Sequence, residues 1–321
     1  MKNILITGGL GYLGGRIAQH LLNTNKYQIT LCSRSLTQNS IPQELIDAKV
    51  VLLDILNYSQ CLKATEGIDC VIHLAALNEI DSAANPELAA LVNTQGTKNL
   101  LDAAIANKTN RFVYFSTAHI YGTPLQGIIT EETLAKPVHP YAITHKNSED
   151  YIRDAHKQCK IQGISLRLSN AIGSPLTKNI NRWTLIANDL CKQAVETGKL
   201  TLKTPGTQLR DFICLSDVAK AVEHIISIEP SKLLDGIFNL GGENSKSIFE
   251  IAQIITNRAE VVLKQQLQIL RPSAGANTGT TLNYVIDKLK ATGFKLTGDI
   301  NTEVDSTLLN CKKWFIQEDS N

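Results

Sequence analysis

Between a short β-branched run, Lys2-Asn3-Ile4-Leu5-Ile6, and a segment with apolar residues at helical spacing, Tyr12 to Leu22, the chain carries Thr7-Gly8-Gly9-Leu10-Gly11-Tyr12-Leu13-Gly14. A glycine-rich turn constrains the fold most when it joins a strand to a helix N-terminus, as it does here. Glycines permit positive φ and close backbone approach, while the first N–H groups of the helix and the positive end of its dipole face an anion. The reading is a turn that holds the pyrophosphate of a dinucleotide; the alternative is an ordinary strand-to-helix turn with incidental glycines.

Strand-like runs at Ile4 to Thr7, Gln28 to Ser33, Val50 to Leu53, Val71 to His73, Arg111 to Ser116 and Ser165 to Leu168 alternate with helical segments at Tyr12 to Asn23, Tyr58 to Glu66, Pro86 to Ala106 and Tyr141 to Lys157. Repeated βα units predict an α/β fold, a Rossmann-type doubly wound parallel sheet with helices on both faces. After about Gly173 the alternation stops, and Pro175, Pro205, Gly206, Gly241 and Gly242 punctuate shorter elements. Residues 1–172, with 208–240 returning, are expected to form the cofactor-binding domain, and 173–207 with 241–321 a smaller substrate-binding lobe.

Composition narrows the class. The 321 residues carry 32 Lys plus Arg against 30 Asp plus Glu, with no dense basic run, so nucleic acid is not an implied partner. Apolar stretches are far short of a membrane span and the N-terminus is a strand, which predicts a cytoplasmic protein with no membrane association. Seven cysteines are scattered singly, so neither a bound metal nor a disulfide framework is expected.

Chemistry concentrates at two segments. Arg111-Phe-Val-Tyr-Phe-Ser-Thr117-Ala118-His119-Ile-Tyr-Gly122 is an apolar strand ending in hydroxyl residues, and the carboxyl ends of strands in a doubly wound sheet face the ligand crevice. Pro140-Tyr141-Ala-Ile-Thr-His145-Lys146 opens a helix with Tyr141 and His145 on one face.

Together with the glycine turn, these segments resemble the extended short-chain dehydrogenase/reductase superfamily, which holds NAD(P)-dependent sugar-nucleotide epimerases, dehydratases and ketoreductases. The resemblance covers nearly the whole chain. It implies that Thr7, Gly8, Gly11, Tyr12, Leu13 and Gly14 hold the cofactor pyrophosphate, that Asp54 and Ile55 lie near its adenine, and that Leu74, Ala75 and Ala76 run past it. Asn93 matches a structural Asn of the family's cofactor domain. Thr117 and Tyr141 fall where the family carries its catalytic hydroxyl residue and its catalytic acid/base. Asn170 in Leu166-Arg-Leu-Ser-Asn170, Arg210 in Gly206-Thr-Gln-Leu-Arg210-Asp-Phe, and Arg271 fall where the family contacts substrate phosphates, and Ala118 and His119 flank the reacting sugar. A small-molecule nucleotide sugar is the implied substrate and a homodimer the implied assembly.

The sequence departs from that pattern at one position. The family's Lys four residues after Tyr binds nicotinamide ribose and depresses the Tyr pKa; here that residue is His145, and Lys146 lies about 100° further around the helix. An imidazole with a reference pKa of about 6.5 supplies little positive charge at neutral pH, so Tyr141 is expected to work more weakly. His145 can still bond the ribose.

The second strand, Gln28 to Ser33, ends without the acid that NAD-preferring readers place on the ribose hydroxyls. Ser33, Arg34 and Ser35 follow instead, suited to a 2′-phosphate, so NADP is favoured and NAD is the alternative. Dehydratases of this superfamily follow the catalytic Thr with Asp and Glu; Ala118 and His119 here disfavour elimination of water. An epimerase and a keto-sugar reductase remain, with a cofactor-binding protein of impaired catalysis as the alternative to an enzyme.

Overall fold

The computed structural model of the chain describes residues 1–34, 41–273 and 281–316. Seven parallel strands form the central sheet, in the spatial order Ile237–Leu240, Gln162–Leu168, Arg111–Thr117 (β5), Cys70–His73 (β4), Lys2–Thr7 (β1), Tyr27–Ser33 (β2) and Lys49–Leu52 (β3). The five expected strands up to β5 and the helices expected over 12–23 and 58–66 are present within a few residues of their expected limits. The expected Rossmann-type sheet is thus the one observed.

Strand β5 is buried along its whole length, as is β4, which is why both read as nearly continuous apolar runs in the sequence. Alternation then sorts their side chains between two cores. Ile4 and Ile6 of β1 with Val113 and Phe115 of β5 meet Ile17, Ala18 and Leu21 of the Tyr12–Asn23 helix and Val218, Val222 and Ile225 of the Leu215–Ser227 helix. Leu5, Val71, Phe112 and Tyr114 face the opposite side, against Leu100, Leu101, Ala104 and Ile152.

A third core lies outside the sheet, where the helices Ile186–Thr197, Ile248–Leu263 and Ile300–Phe315 pack together. A three-stranded sheet of Asn170–Ile172, Leu209–Cys214 and Ser245–Ser247 joins this lobe to the main body. The strand Leu209–Cys214 belongs to both, since Ile213 enters the first core while Phe212 and Cys214 enter the third. We propose that the sheet and the lobe are the cofactor and substrate domains.

One element differs from expectation. The single long helix read over 86–106 is a Pro86–Ala89 turn of α-helix, a π-helical stretch Ala90–Gly96, then an α-helix Thr97–Ala106. The wider π turns fall where Asn93 is drawn inward: its Oδ1 accepts from the Leu77 N–H at 2.7 Å and its Nδ2 donates to Thr144 Oγ1 at 3.1 Å.

Candidate active site

Strand order reverses beside β1, and the carboxyl ends of β1, β4 and β5 open there onto one cavity of 670 Å³. Thr7, Gly8, Gly11, Tyr12, Leu13 and Gly14 line it, with Ser33, Arg34, Asp54, Ile55, Leu74, Ala75, Ala76, Thr117, His119, Tyr141 and Asn170. Ser35 lies outside the described residues. Asn93, Ala118, His145, Arg210 and Arg271 are not in the lining.

The glycine turn is built for a close backbone. Gly8 has φ of +67°, and the Gly11 N–H closes on its carbonyl at 2.9 Å. A Cβ at Gly14 would overlap that same carbonyl oxygen. No side chain caps the helix that starts at Tyr12, so its first N–H groups are left to face the cavity. Ser116, also in the lining, has a buried Oγ with no partner. A bare helix N-terminus, an obligate glycine and an orphaned hydroxyl are what a dinucleotide would satisfy, so the residues present fit the group.

Behind the cavity wall runs a chain of hydrogen bonds whose polarity can be assigned. The Leu74 and Ala75 N–H groups donate to Thr7 Oγ1, whose proton goes to His73 Nδ1 at 2.6 Å. Thr97 donates to the Asn93 carbonyl, so its oxygen accepts from His73 Nε2 at 2.8 Å. Asn93 reaches Thr144, which donates to the Tyr141 carbonyl at 2.9 Å. Asn93 therefore spends its side chain inside the fold, and the glycine turn is connected to the helix that carries Tyr141.

That helix, Pro140–Lys157, starts where the sequence places it. Pro140 fits the first turn, and His139 Nδ1 accepts from the Tyr141 N–H at 3.2 Å. The Tyr141 ring lies in the lining, packed on the His145 ring at 4.3 Å between centroids. Burial, and then the Glu79 carboxylate, push its phenol well above the ordinary tyrosine value, with Arg182 opposing. Thr117 Oγ1 accepts from the His119 N–H at 3.2 Å, leaving its own proton to donate.

His145 is 2% exposed, and its Nδ1 is shared with the Tyr114 hydroxyl at 2.6 Å while Nε2 has no partner. Burial pushes its pKa down to about 4, so the ring is neutral at pH 7. Lys146 does not replace the missing cation, since its ammonium is paired with Asp150 at 2.6 Å. Arg210, exposed and outside the lining, reaches Asn170 Oδ1 through Nη1 at 3.4 Å. Arg271 instead stacks on Phe249, with Cζ 3.4 Å from the ring centroid, and bonds the Pro205 carbonyl.

Two histidines held neutral inside the fold make its stability depend on acid. His145 at about 4 and His73 at about 3 both lie below the unfolded value of about 6.5, so the native state binds fewer protons. Their contribution is complete above pH ~6.5 and is lost as pH falls toward the folded values, at up to about 1.4 kcal/mol per pH unit for each ring. Urea unfolding at about pH 7 and about pH 5 checks this: His145→Gln should shrink the acid loss by roughly 1–2 kcal/mol. An equal loss in both proteins would show that His145 is not the group concerned.

The sequence reading missed an ion pair in the lining, Arg182 Nη1 to Glu79 Oε2 at 3.0 Å. Glu79 follows β4, and the rule for strand ends could have found it; Arg182 sits in an irregular loop with no sequence signal. Also missed was the buried pair of Glu149, on the Tyr141 helix, with Arg167, whose Nη2 donates to Oε2 at 2.8 Å.

Residues 4–241 match the NAD dependent epimerase/dehydratase family. The chain belongs to that family. An uncharacterized UDP-glucose epimerase, YtcB of Bacillus subtilis, is 25% identical over 262 residues, 78% of this chain and 80% of that protein. UDP-arabinose 4-epimerase 1 of Arabidopsis thaliana is 28% identical over 291 residues, 82% of this chain and 69% of its own. Among solved structures, the UDP-glucose 4-epimerase of Thermotoga maritima with UDP-glucose superposes at a TM-score of 0.81, with 19% identity over 97% of this chain and 99% of that one. The UDP-glucuronic acid 4-epimerase of Bacillus cereus, with NAD and a fluorinated UDP-glucuronic acid, gives 0.80 at 23% identity over 97% and 99%. These likenesses carry the shared fold. Among the described residues of this family member, no helix is long and apolar enough to cross a membrane.

Proposed function

We propose that the chain moves hydride at a sugar carbon of a nucleotide-activated sugar, as an epimerase or a keto-sugar reductase, with Tyr141 and Thr117 as its proton-handling pair. The observation that carries this reading is that Thr117 and Tyr141 line the same cavity as the glycine turn. A bound nicotinamide supplies the hydride donor and acceptor. Tyr141, held neutral, donates its proton to the oxygen of the reacting carbon and takes it back in the reverse direction. Thr117 donates a hydrogen bond to the same oxygen and orients it, and Asn170 with the exposed Arg210 bonded to it suits the diphosphate. The UDP-sugar relatives support a nucleotide sugar as substrate.

We favour NADP, because Ser33 closes β2 and Arg34 follows it in the cavity lining, where NAD-preferring readers carry an acid. The solved relatives with NAD support a nicotinamide dinucleotide of either kind. The experiment is to titrate NAD and NADP by fluorescence, then incubate the loaded protein with UDP-, GDP- and dTDP-sugars. Tighter NADP binding and one altered sugar are expected. The neutral His145 and the diverted Lys146 favour a second reading, a cofactor-binding protein with impaired turnover; cofactor bound and no sugar altered, with or without added NADPH, would select it.

The assembly we propose is a homodimer. Leu88, Leu91, Ile143 and Tyr151 are exposed on the two helical segments that the family resemblance pairs across a dimer. Light scattering at micromolar concentration should give twice the chain mass, and a monomer would refute it. A cytoplasmic location agrees with seven unbridged cysteines.

A further inference from the structure

Glu79 and Arg182 reach the cavity from opposite walls. Glu79 opens the short helix Glu79–Ala84 after β4, on the side of the sheet, whereas Arg182 precedes the Ile186–Thr197 helix, whose Ala187, Leu190 and Cys191 lie in the core of the lobe. Their 3.0 Å pair joins the two walls. The Arg182 loop is fixed from below, where buried Asn188 donates to the Arg182 carbonyl at 3.1 Å. The pair also lies at the reacting end. Glu79 and Arg182 both act on the Tyr141 phenol, and Glu79 acts on His119. Burial alone would push the Glu79 carboxyl up, but the Arg182 guanidinium and backbone N–H groups outweigh it and hold it ionised.

We propose that this pair reads the sugar ring and selects an uncharged hexose over a hexuronate, an inference that rests on the nucleotide-sugar reading above. Only Nη1 of the Arg182 fork donates to Glu79, and it does so to Oε2. Beyond Arg182 and its own backbone N–H, the carboxylate keeps lone pairs that can accept from a ligand, and the guanidinium keeps further N–H groups. A sugar hydroxyl can donate to the first and accept from the second without separating the pair. A sugar carboxylate can only accept. It is drawn to Arg182 and meets the like charge of the partly exposed Glu79 carboxylate beside it. The pair thus admits a neutral ring and repels an anionic one, although it carries no net charge itself.

The test uses cofactor-loaded protein and calorimetric titration. UDP, dTDP and GDP alone come first, followed by the hexose and hexuronate of whichever nucleoside binds. The hexose should bind at least tenfold more tightly than the hexuronate. In Glu79→Gln that ratio should fall at least tenfold or invert, with affinity for the bare nucleoside diphosphate unchanged. Adding Arg182→Gln to that variant should remove the gained hexuronate binding. If no nucleoside diphosphate binds, the nucleotide-sugar reading falls and takes this inference with it. If one binds, but the wild type holds the hexuronate as well as the hexose or Glu79→Gln leaves the ratio unchanged, this inference alone is overturned.

Discussion

Tyr141→Phe should lower conversion of the responsive nucleotide sugar by about 10²–10⁴-fold while leaving affinity for its bare nucleoside diphosphate intact. The substitution removes one hydroxyl and keeps the ring that packs on His145 at 4.3 Å, so loss of packing cannot account for such a drop. Burial and the Glu79 carboxylate hold the phenol protonated, which suits it to giving a proton to a carbonyl oxygen. The family's usual device for easing the opposite transfer, a fixed ammonium one turn along the helix, is missing: His145 is neutral and Lys146 is occupied by Asp150. His119 also lines the cavity, and burial lowers its pKa, so its neutral ring is the competing proton acceptor. Steady-state rates decide between them. A Tyr141→Phe enzyme within a few-fold of wild type, together with an inactive His119→Ala, would transfer the role to His119.

Glu149→Ala should cost about 3–5 kcal/mol of unfolding free energy, although Glu149 is outside the cavity lining. Glu149 and Arg167 are 1% and 4% exposed, and three N–H···O contacts join them. Arg167 also donates to the Tyr121 hydroxyl at 2.8 Å, but that partner is neutral. Removing the carboxylate therefore leaves a buried guanidinium whose remaining hydrogen-bond partners, the Tyr121 hydroxyl and the Glu131 carbonyl, are neutral. Urea denaturation should show the midpoint falling at constant slope. Replacing both partners together, Glu149→Leu with Arg167→Met, should recover most of the loss, because the expense lies in the orphaned charge. A loss below about 1 kcal/mol for the single variant would mean that water reaches the pair as it does on a surface. The pair ties the Tyr141 helix to the strand that leads into Ser169 and Asn170 of the lining, so the positions of proton donor and phosphate contact depend on it.

The fold was readable because its central strands are buried on both faces. Runs such as Phe112-Val-Tyr-Phe and Ile4-Leu-Ile6 have no polar face to obscure them, and helices at a 3.6-residue period separate them. The cofactor end of the site was readable for a related reason: Gly8, Gly11 and Gly14 are local in sequence, and their requirement is a backbone one. Contacts between distant segments were not readable. Glu79 and Arg182 are 103 residues apart and share no period or flanking motif. Arg167 is one of several polar residues in the strand Gln162–Leu168, and nothing local says that Glu149 will face it. The π-helical stretch at Ala90–Gly96 escaped because helical spacing alone does not separate it from the α-helices on either side. Arg271 matched a family position by order along the chain, yet its guanidinium is spent on Phe249 and a carbonyl.

The buried line from Thr7 through His73, Thr97, Asn93 and Thr144 leaves no hydroxyl in it free to turn, because each proton already has its one assigned acceptor. Such a line tolerates no reversal at a single point: an asparagine or glutamine at 73 must match a donor on one side and an acceptor on the other, or else strand one of its neighbours. A genetic screen for lost turnover should therefore collect substitutions at His73 and Thr97 beside those at Tyr141, and the lesions will look catalytic although neither residue faces the cavity.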